Sequence, residues 1–163
     1  MEENTNNTEN KKFPSLSQTL NEIKYRYELE EERRQSLENK AGILIGFIGV
    51  IIAIIFSVVN DLTILYLLVP FFILIGLALT YAFFVIRLKK VDIPHKEDTE
   101  DFYQYAEMDK EKVEDDFLRN YIVATEKLEN INDEKVARLK RAFKLTLGSI
   151  VYLIGSTFII FTV

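Results

Sequence analysis

Cysteine is absent from the 163-residue chain, and histidine occurs once, at His95. Without a thiol, the chain has no disulfide, no thiolate nucleophile and no cysteine-ligated metal. One histidine is too few for a histidine-based zinc site unless carboxylates or another subunit complete it. We therefore expect no metal and no cofactor.

Catalytic sequence motifs are also missing. The chain contains no glycine-rich phosphate loop, nucleophile elbow, HExxH pattern or EF-hand loop. Carboxylates do occur in runs, at 30–32 and 115–116, but both runs lie in helical segments. Adjacent side chains on a helix point about 100° apart, so these carboxylates are poor acid–base pairs. The sequence therefore predicts a protein that is not an enzyme.

Charged residues are absent from three long stretches, residues 41–60, 62–86 and 145–163. About 20 helical residues cross a hydrocarbon core of about 30 Å, so each stretch is long enough to span a membrane. Proton relays and ion pumps nearly always place a charge inside a span, so transport by a single chain is not expected. The fold class predicted is an all-α membrane protein whose three transmembrane helices cover 41–60, 62–88 and 145–163.

The basic residues predict the orientation. Seven of the 20 lysines and arginines precede the first stretch, and the other 13 lie between the second and the third. Cytoplasmic loops carry such an excess, which places the N-terminus inside, the Asn60–Asp61 turn outside and the C-terminus outside the inner (cytoplasmic) membrane. Since acidic residues outnumber basic ones in the cytosolic part, binding to nucleic acid is disfavoured.

Many basic residues lie close to the ends of the uncharged stretches and form a predicted collar at the membrane surface. The ordinary explanation is contact with anionic headgroups, worth about 1 kcal/mol for each charge, and a specific lipid site is the alternative. The lipid bilayer is thus a predicted partner. The collar comprises Arg33, Arg34, Lys40, Arg87, Lys89, Lys90, Arg138, Lys140, Arg141 and Lys144.

The N-terminal part contains a polar tail and then a long helix. Residues 1–14 are too polar to order themselves, whereas Ser15 or Ser17 can cap a helix over 15–40 that continues into the first span. A heptad-like seam follows this helix and either packs on the chain's own middle region or forms a coiled coil between subunits. The seam consists of Leu16, Leu20, Ile23, Tyr27, Glu30, Arg34, Leu37 and Ala41.

The middle region, residues 95–144, predicts a cytosolic helical hairpin. A short helix contains Phe102 and Tyr105, a longer one begins at Asp109, and the turn residues 130–133 separate it from a last helix. One face of the longer helix is apolar (Val113, Phe117, Tyr121, Ala124, Leu128 and Ile131), and Val136, Leu139 and Phe143 continue into the third span.

Two features of the spans predict how they pack. Pro70 lies inside the second span, where proline usually kinks a helix. Small residues let membrane helices approach closely, and the GxxxG pattern of Gly42 and Gly46 contacts either the second span, which a two-residue turn favours, or the first span of another subunit. Tyr152 is predicted to hydrogen-bond a neighbouring helix. The predicted packing residues are Gly42, Gly46, Gly49, Gly148, Ser149, Gly155 and Ser156.

Two short stretches carry a family resemblance. Residues 32–47, ERRQSLENKAGILIGF, resemble the entry to the first span in a group of small prokaryotic membrane proteins, with Asn39 where the group has an acidic residue. Asn132, Lys135, Leu139 and Ala142 resemble the helix that leads into the group's last span. The group includes the Pycsar effector domains and the related SLATT domains. The resemblance implies an oligomeric helical effector that impairs the inner membrane after a nucleotide signal.

Two functions remain open at the level of sequence. The first is a non-enzymatic membrane module that self-associates and acts as an anti-phage effector. On this hypothesis the expected state is a homo-oligomer. The second is a scaffold or accessory subunit that recruits a cytosolic protein partner. Because 163 residues leave no room for a nucleotide-binding domain, we expect a sensor to be another protein or the cytosolic helices themselves.

Overall fold

The computed structural model describes residues 15–58, 66–87 and 109–162, and these form three helices. Helix α1 is Leu16–Val58, α2 is Val69–Ile86 and α3 is Lys110–Thr162. Several predictions lie outside the described residues: the polar tail, the Asn60–Asp61 turn and the short helix near Phe102.

The start of α1 is fixed by a reciprocal pair of hydrogen bonds. The backbone N–H of Gln18 donates to Ser15 Oγ, and the Ser15 N–H donates to Gln18 Oε1, both at 3.3 Å. This arrangement is a capping box, and it satisfies two backbone donors that a helix end leaves free. From there α1 runs 43 residues without interruption, so the charged segment and the first uncharged stretch form one rod.

Helix α2 begins where the helical path of the predicted second span is interrupted. Tyr66 and Leu67 are helical, Leu68 forms a turn, and α2 then covers 18 residues, Val69–Ile86, with Pro70 in its first turn. A proline at the start of a helix is tolerated, because the first backbone N–H groups of a helix have no acceptor within it. The expected disturbance of the helix at Pro70 is therefore present as this turn, and not as a bend inside α2.

Helix α3 corrects the predicted hairpin. It covers 53 residues and passes through 130–133 without a break. The physical reason is a stripe of buried side chains that keeps its helical phase across the predicted turn, with Asn132 itself fully buried. Phe143 of the same helix lies off this stripe and is 50% exposed. The stripe consists of Ala124, Leu128, Ile131, Lys135, Leu139, Ala142, Thr146 and Ser149.

Helix α3 contacts both other helices more extensively than they contact each other. It runs parallel to α1, since Tyr27 meets Tyr121 and, further along, Glu38 meets Lys135. It runs antiparallel to α2, because Tyr152 near its end meets Leu67 near the start of α2. The three helices share one apolar core, whose fully buried larger side chains include Ile48, Phe71 and Ile75.

Two of the helices are long and apolar enough to cross a membrane, α1 up to Ser57 and α2 over Val69–Ile86. In the apolar 18-residue stretch of each helix, only 22% of the residues in α1 and 28% of those in α2 are buried inside the chain. A core helix of a soluble protein would have its apolar surface covered by protein, whereas here most of it stays uncovered. Membrane association follows from this uncovered apolar surface.

Because α3 is continuous, it predicts how substitutions at Asn130, an exposed residue within the helix, change stability. Asn130→Pro should cost about 3 kcal/mol, because proline removes a backbone hydrogen bond and clashes with the preceding turn. Asn130→Ala should be neutral or slightly stabilising, since alanine favours helix. Thermal unfolding of the detergent-solubilised protein, followed by circular dichroism, measures both. Tolerance of Asn130→Pro together with destabilisation by Asn130→Ala would indicate a turn at this position.

Candidate functional site

A layer of polar side chains lies between α1 and α3, just before both helices lose their charged residues. Its centre is Asn132, which is fully buried. The Asn132 Nδ2 donates to the backbone carbonyl of Glu30 and to Glu30 Oε2, both at 2.7 Å. The side-chain amide of α3 thus bonds to the backbone of α1. This bond fixes the register of α1 against α3.

Ion pairs surround Asn132. Lys135, with a side chain only 5% exposed, pairs with Glu38 on α1. Arg33 pairs with Asp133 of α3 at 2.8 Å and with Glu30 of its own helix at 3.2 Å. A buried pair of this kind contributes little net stability, but removing one partner leaves a charge without compensation. The layer therefore specifies which residues meet more than it adds to the total stability.

Hydrogen bonds also raise the pKa of two arginines in the layer. The pKa of Arg33 is raised chiefly by its hydrogen bond to Asp133, and that of Arg34 chiefly by its hydrogen bond to Glu31. Both guanidinium groups therefore stay charged at any physiological pH.

Two buried polar atoms of the layer have no hydrogen-bond partner, Asn132 Oδ1 and Arg34 Nε. A buried polar atom without a partner costs roughly 1–3 kcal/mol. These two atoms therefore offset part of the stability that the hydrogen bonds of the layer contribute.

An aromatic contact lies between α1 and α3 on the N-terminal side of the polar layer. The rings of Tyr27 and Tyr121 meet edge to face at 5.7 Å, and Lys24 lies 5.6 Å from the centre of the Tyr121 ring. Burial is the main cause that raises the pKa of both tyrosines, and the Glu31 charge adds to the rise at Tyr27. Both hydroxyls therefore stay protonated. The contact between the two rings also shows that the seam of α1, to which Tyr27 belongs, packs on α3 of the same chain.

A shallow groove follows the same pair of helices on its outer side. Its volume is about 430 Å³, and its apolar floor includes Ile23, Leu29 and Ile122. Carboxylates dominate its rim, with Glu126 and Glu129 on α3. No group of three or more metal-ligating side chains occurs in the described ranges.

The collar residues divide into two sets. Arg33, Arg34 and Arg138 are engaged with carboxylates of their own chain. In contrast, no ion pair with a described residue is recorded for Lys40, Arg87, Lys140, Arg141 and Lys144, all of them exposed. Lys89 and Lys90 lie outside the described residues.

The small residues of the spans also divide. Ser149 and Ser156 are buried between the helices, and their hydroxyls donate to carbonyls of the same helix. The glycines are exposed, and a Cβ added at any of them would meet no atom within 4 Å. The favoured contact of Gly42 and Gly46 with the second span is therefore not present in the described part of the chain. Their contact with another subunit stays a prediction.

The prediction for Tyr152 is confirmed. Its hydroxyl donates to the carbonyl of Leu67 at 2.8 Å, across the contact between α3 and the start of α2. A phenol hydroxyl in an apolar region needs such a partner, because an unmade hydrogen bond there is costly. Tyr152 thus ties the far end of α3 to α2.

Sequence reasoning missed the role of Asn132 and Lys135, because polar residues at these positions suggested a turn and a solvated helix. The available signal was the family resemblance, which had singled out Asn132, Lys135, Leu139 and Ala142. All four are buried in α3. Lys135 pairs with Glu38, the acidic residue next to Asn39, and Asn132 donates to Glu30.

The pair between Lys135 and Glu38 allows a prediction about the free energy of unfolding. Lys135→Met should cost about 2 kcal/mol, because it leaves the partly buried carboxylate of Glu38 without a partner. The double variant Glu38→Leu/Lys135→Met should recover at least half of this loss. Chemical unfolding in detergent measures both.

The matched control for that experiment is Arg26→Met. It removes the pair between Arg26 and Glu22, whose side chains are 65% and 66% exposed, and it should cost less than about 1 kcal/mol. Equal losses for Lys135→Met and Arg26→Met would contradict the special role of the layer.

Comparison with known proteins places the chain in a family. The family model described as PycTM, the Pycsar effector protein domain, matches residues 27–162, which include the polar layer and most of all three helices. The comparisons with curated proteins and with solved structures gave no match. The match covers more than half of the chain, and the chain therefore belongs to the Pycsar effector protein domain family.

Proposed function

We propose that this protein is a non-enzymatic membrane module that self-associates and impairs the cell membrane as an effector of anti-phage defence. Family membership supports the defence role. The uncovered apolar surface of α1 and α2 supports a place in the bilayer. The mechanism proposed is assembly of several chains, because one chain offers no path through the membrane.

The glycine face of α1 is the observation that carries self-association. Gly42, Gly46 and Gly49 are exposed, and open space lies over each of them. In lipid, close approach of helices depends on small residues, since no water drives apolar surfaces together. A face of glycines that no helix of its own chain covers is suited to a helix of a second copy.

The described helices of a single chain enclose no polar lumen, because their inward hydroxyls are packed against other side chains. Thr146, Ser149 and Ser156 are buried among the helices and therefore cannot line a path between subunits. The hydroxyl residues that could line such a path are the exposed ones, Ser57, Thr80 and Thr157.

The polar layer supplies a means of control. Asn132 and Lys135 hold the cytosolic halves of α1 and α3 together, and each of these helices continues without a break into its uncharged part. A change in the cytosolic pairing would therefore be passed along rigid helices to the membrane. The signal would act by stabilising one of two arrangements of this pair.

The proposed topology has three spans, with the N-terminus in the cytoplasm and the C-terminus outside. The natural absence of cysteine makes it directly testable. Asn60→Cys should react with a membrane-impermeant maleimide in intact cells, whereas Asp133→Cys should react only after permeabilisation. Labelling of both cysteines, or of Asp133→Cys alone, in intact cells would contradict this orientation.

Membrane potential in cells that produce the protein tests the function. The native chain should depolarise cells, and Gly46→Leu should abolish the effect by blocking close approach of α1. Gly76→Leu is the matched control, because Gly76 is also an exposed helical glycine with open space around it but lies on α2. A fluorescent potential-sensitive dye follows the change, and equal protein in the membrane fraction confirms production.

Two outcomes would contradict self-association through α1. One is depolarisation by Gly46→Leu as strong as that of the native chain. The other is an equal loss with Gly76→Leu, which would indicate a general effect of the substitution.

The groove between α1 and α3 favours a second candidate, a scaffold that recruits a cytosolic protein. Its apolar floor and acidic rim suit a helix with apolar and basic faces. Production of the native chain would then leave the membrane potential unchanged, so the same experiment separates the two candidates.

A further inference from the structure

We propose that Arg141 and Lys144, together with the ring of Tyr81, form a binding site for the headgroup of an anionic phospholipid at the boundary between α2 and α3. The inference rests on the membrane placement proposed above. Its first support is the distribution of charge along the three helices.

All negative charge of the described helices lies on one side of the Lys135–Glu38 pair. From Asn39 to Val58 on α1 and beyond Lys135 on α3, the described helices carry basic residues and no acidic ones, and α2 carries no charge. Among these basic residues Arg138 reaches a carboxylate, that of Glu134, whereas no described carboxylate pairs with the others. Where an apolar membrane segment meets water, the phosphate of a lipid headgroup can supply the balancing negative charge.

Arg138 is not assigned this role, because its guanidinium is already engaged with α2 and with its own helix. Its guanidinium pairs with Glu134, donates to the Phe84 carbonyl at 3.3 Å and lies 5.3 Å from the centre of the Phe84 ring. This residue joins the end of α2 to α3. Its substitution would disturb the fold as well as any ligand.

Arg141, one turn further along α3, is placed differently. It lies 5.9 Å from the centre of the Tyr81 ring, one turn before Phe84 on α2, and forms no ion pair with a described residue. The aromatic face orients the guanidinium, while its forked N–H groups stay available to oxygen atoms. Such a fork binds two phosphate oxygens at once.

Lys144 adds a second charge within reach. It lies one turn beyond Arg141, is exposed, and forms no ion pair with a described residue. Its long side chain can extend from an apolar surface towards the headgroups. The two residues therefore offer one phosphate a planar, oriented donor and a mobile ammonium group.

Titration of the purified full-length protein in a neutral detergent tests the site. The probes are short-chain phosphatidylglycerol and phosphatidylcholine with the same acyl chains, and native mass spectrometry measures bound lipid. Phosphatidylglycerol should bind at least about fivefold more tightly than phosphatidylcholine. Arg141→Gln and Lys144→Gln should each remove most of this preference, and Tyr81→Leu should weaken it.

Two control variants should keep the preference. Tyr81→Phe retains the ring that orients Arg141, and Arg119→Gln removes an exposed arginine that is paired with Asp115 far from the boundary. Inorganic phosphate at the same concentration should not displace the lipid, because it lacks the acyl chains that place the headgroup.

Three results would overturn the proposal: equal binding of the two lipids, a preference that survives Arg141→Gln, or displacement by inorganic phosphate. The measurement needs no depolarisation of cells. Failure of the lipid site would leave a positive result for self-association intact, and failure of self-association would not alter lipid binding.

Discussion

The constraint on which the rest of this structure depends is the unbroken phase of the buried stripe on α3. One helix of 53 residues presents a single face to α1 in its charged N-terminal part and to both α1 and α2 in its apolar part. A change of phase at 130–133 would turn Leu139 and Ala142 away from the core. The polar residues at these positions are therefore kept in the helix by what lies on either side of them.

Along this one face, the chemistry of the contact changes with the surroundings. The N-terminal part contains an edge-to-face pair of tyrosines, and the next part contains Asn132 and Lys135 with carboxylate or carbonyl partners. Within the apolar part the buried polar groups are hydroxyls, and most of them bond to carbonyls of their own helix. Charged side chains are thus paired with each other in the polar part, whereas hydroxyls in the apolar part bond to carbonyls of their own helix.

The same separation organises the outer surface. Exposed cations and carboxylates pair along the charged parts of the helices, whereas the boundary carries cations alone and the apolar part exposes glycines and large hydrophobic side chains. The three zones therefore present three different surfaces. The proposed function would use all of them, the first for a signal, the second for the bilayer and the third for other copies of the chain.

The sequence by itself determined the helical class, the uncharged stretches, the start of α1 and the family resemblance. These properties depend on local patterns: an absence of charge over about 20 residues, a Ser-x-x-Gln cap and short motifs. Only the tertiary structure decided the continuity of α3 and the outward direction of Gly42 and Gly46. Asn132 illustrates why: its local preference is for a turn, but its amide gains two hydrogen bonds on α1, 102 residues away along the chain. Contacts so distant leave no trace in a local pattern, and they outweigh the propensity of a single residue.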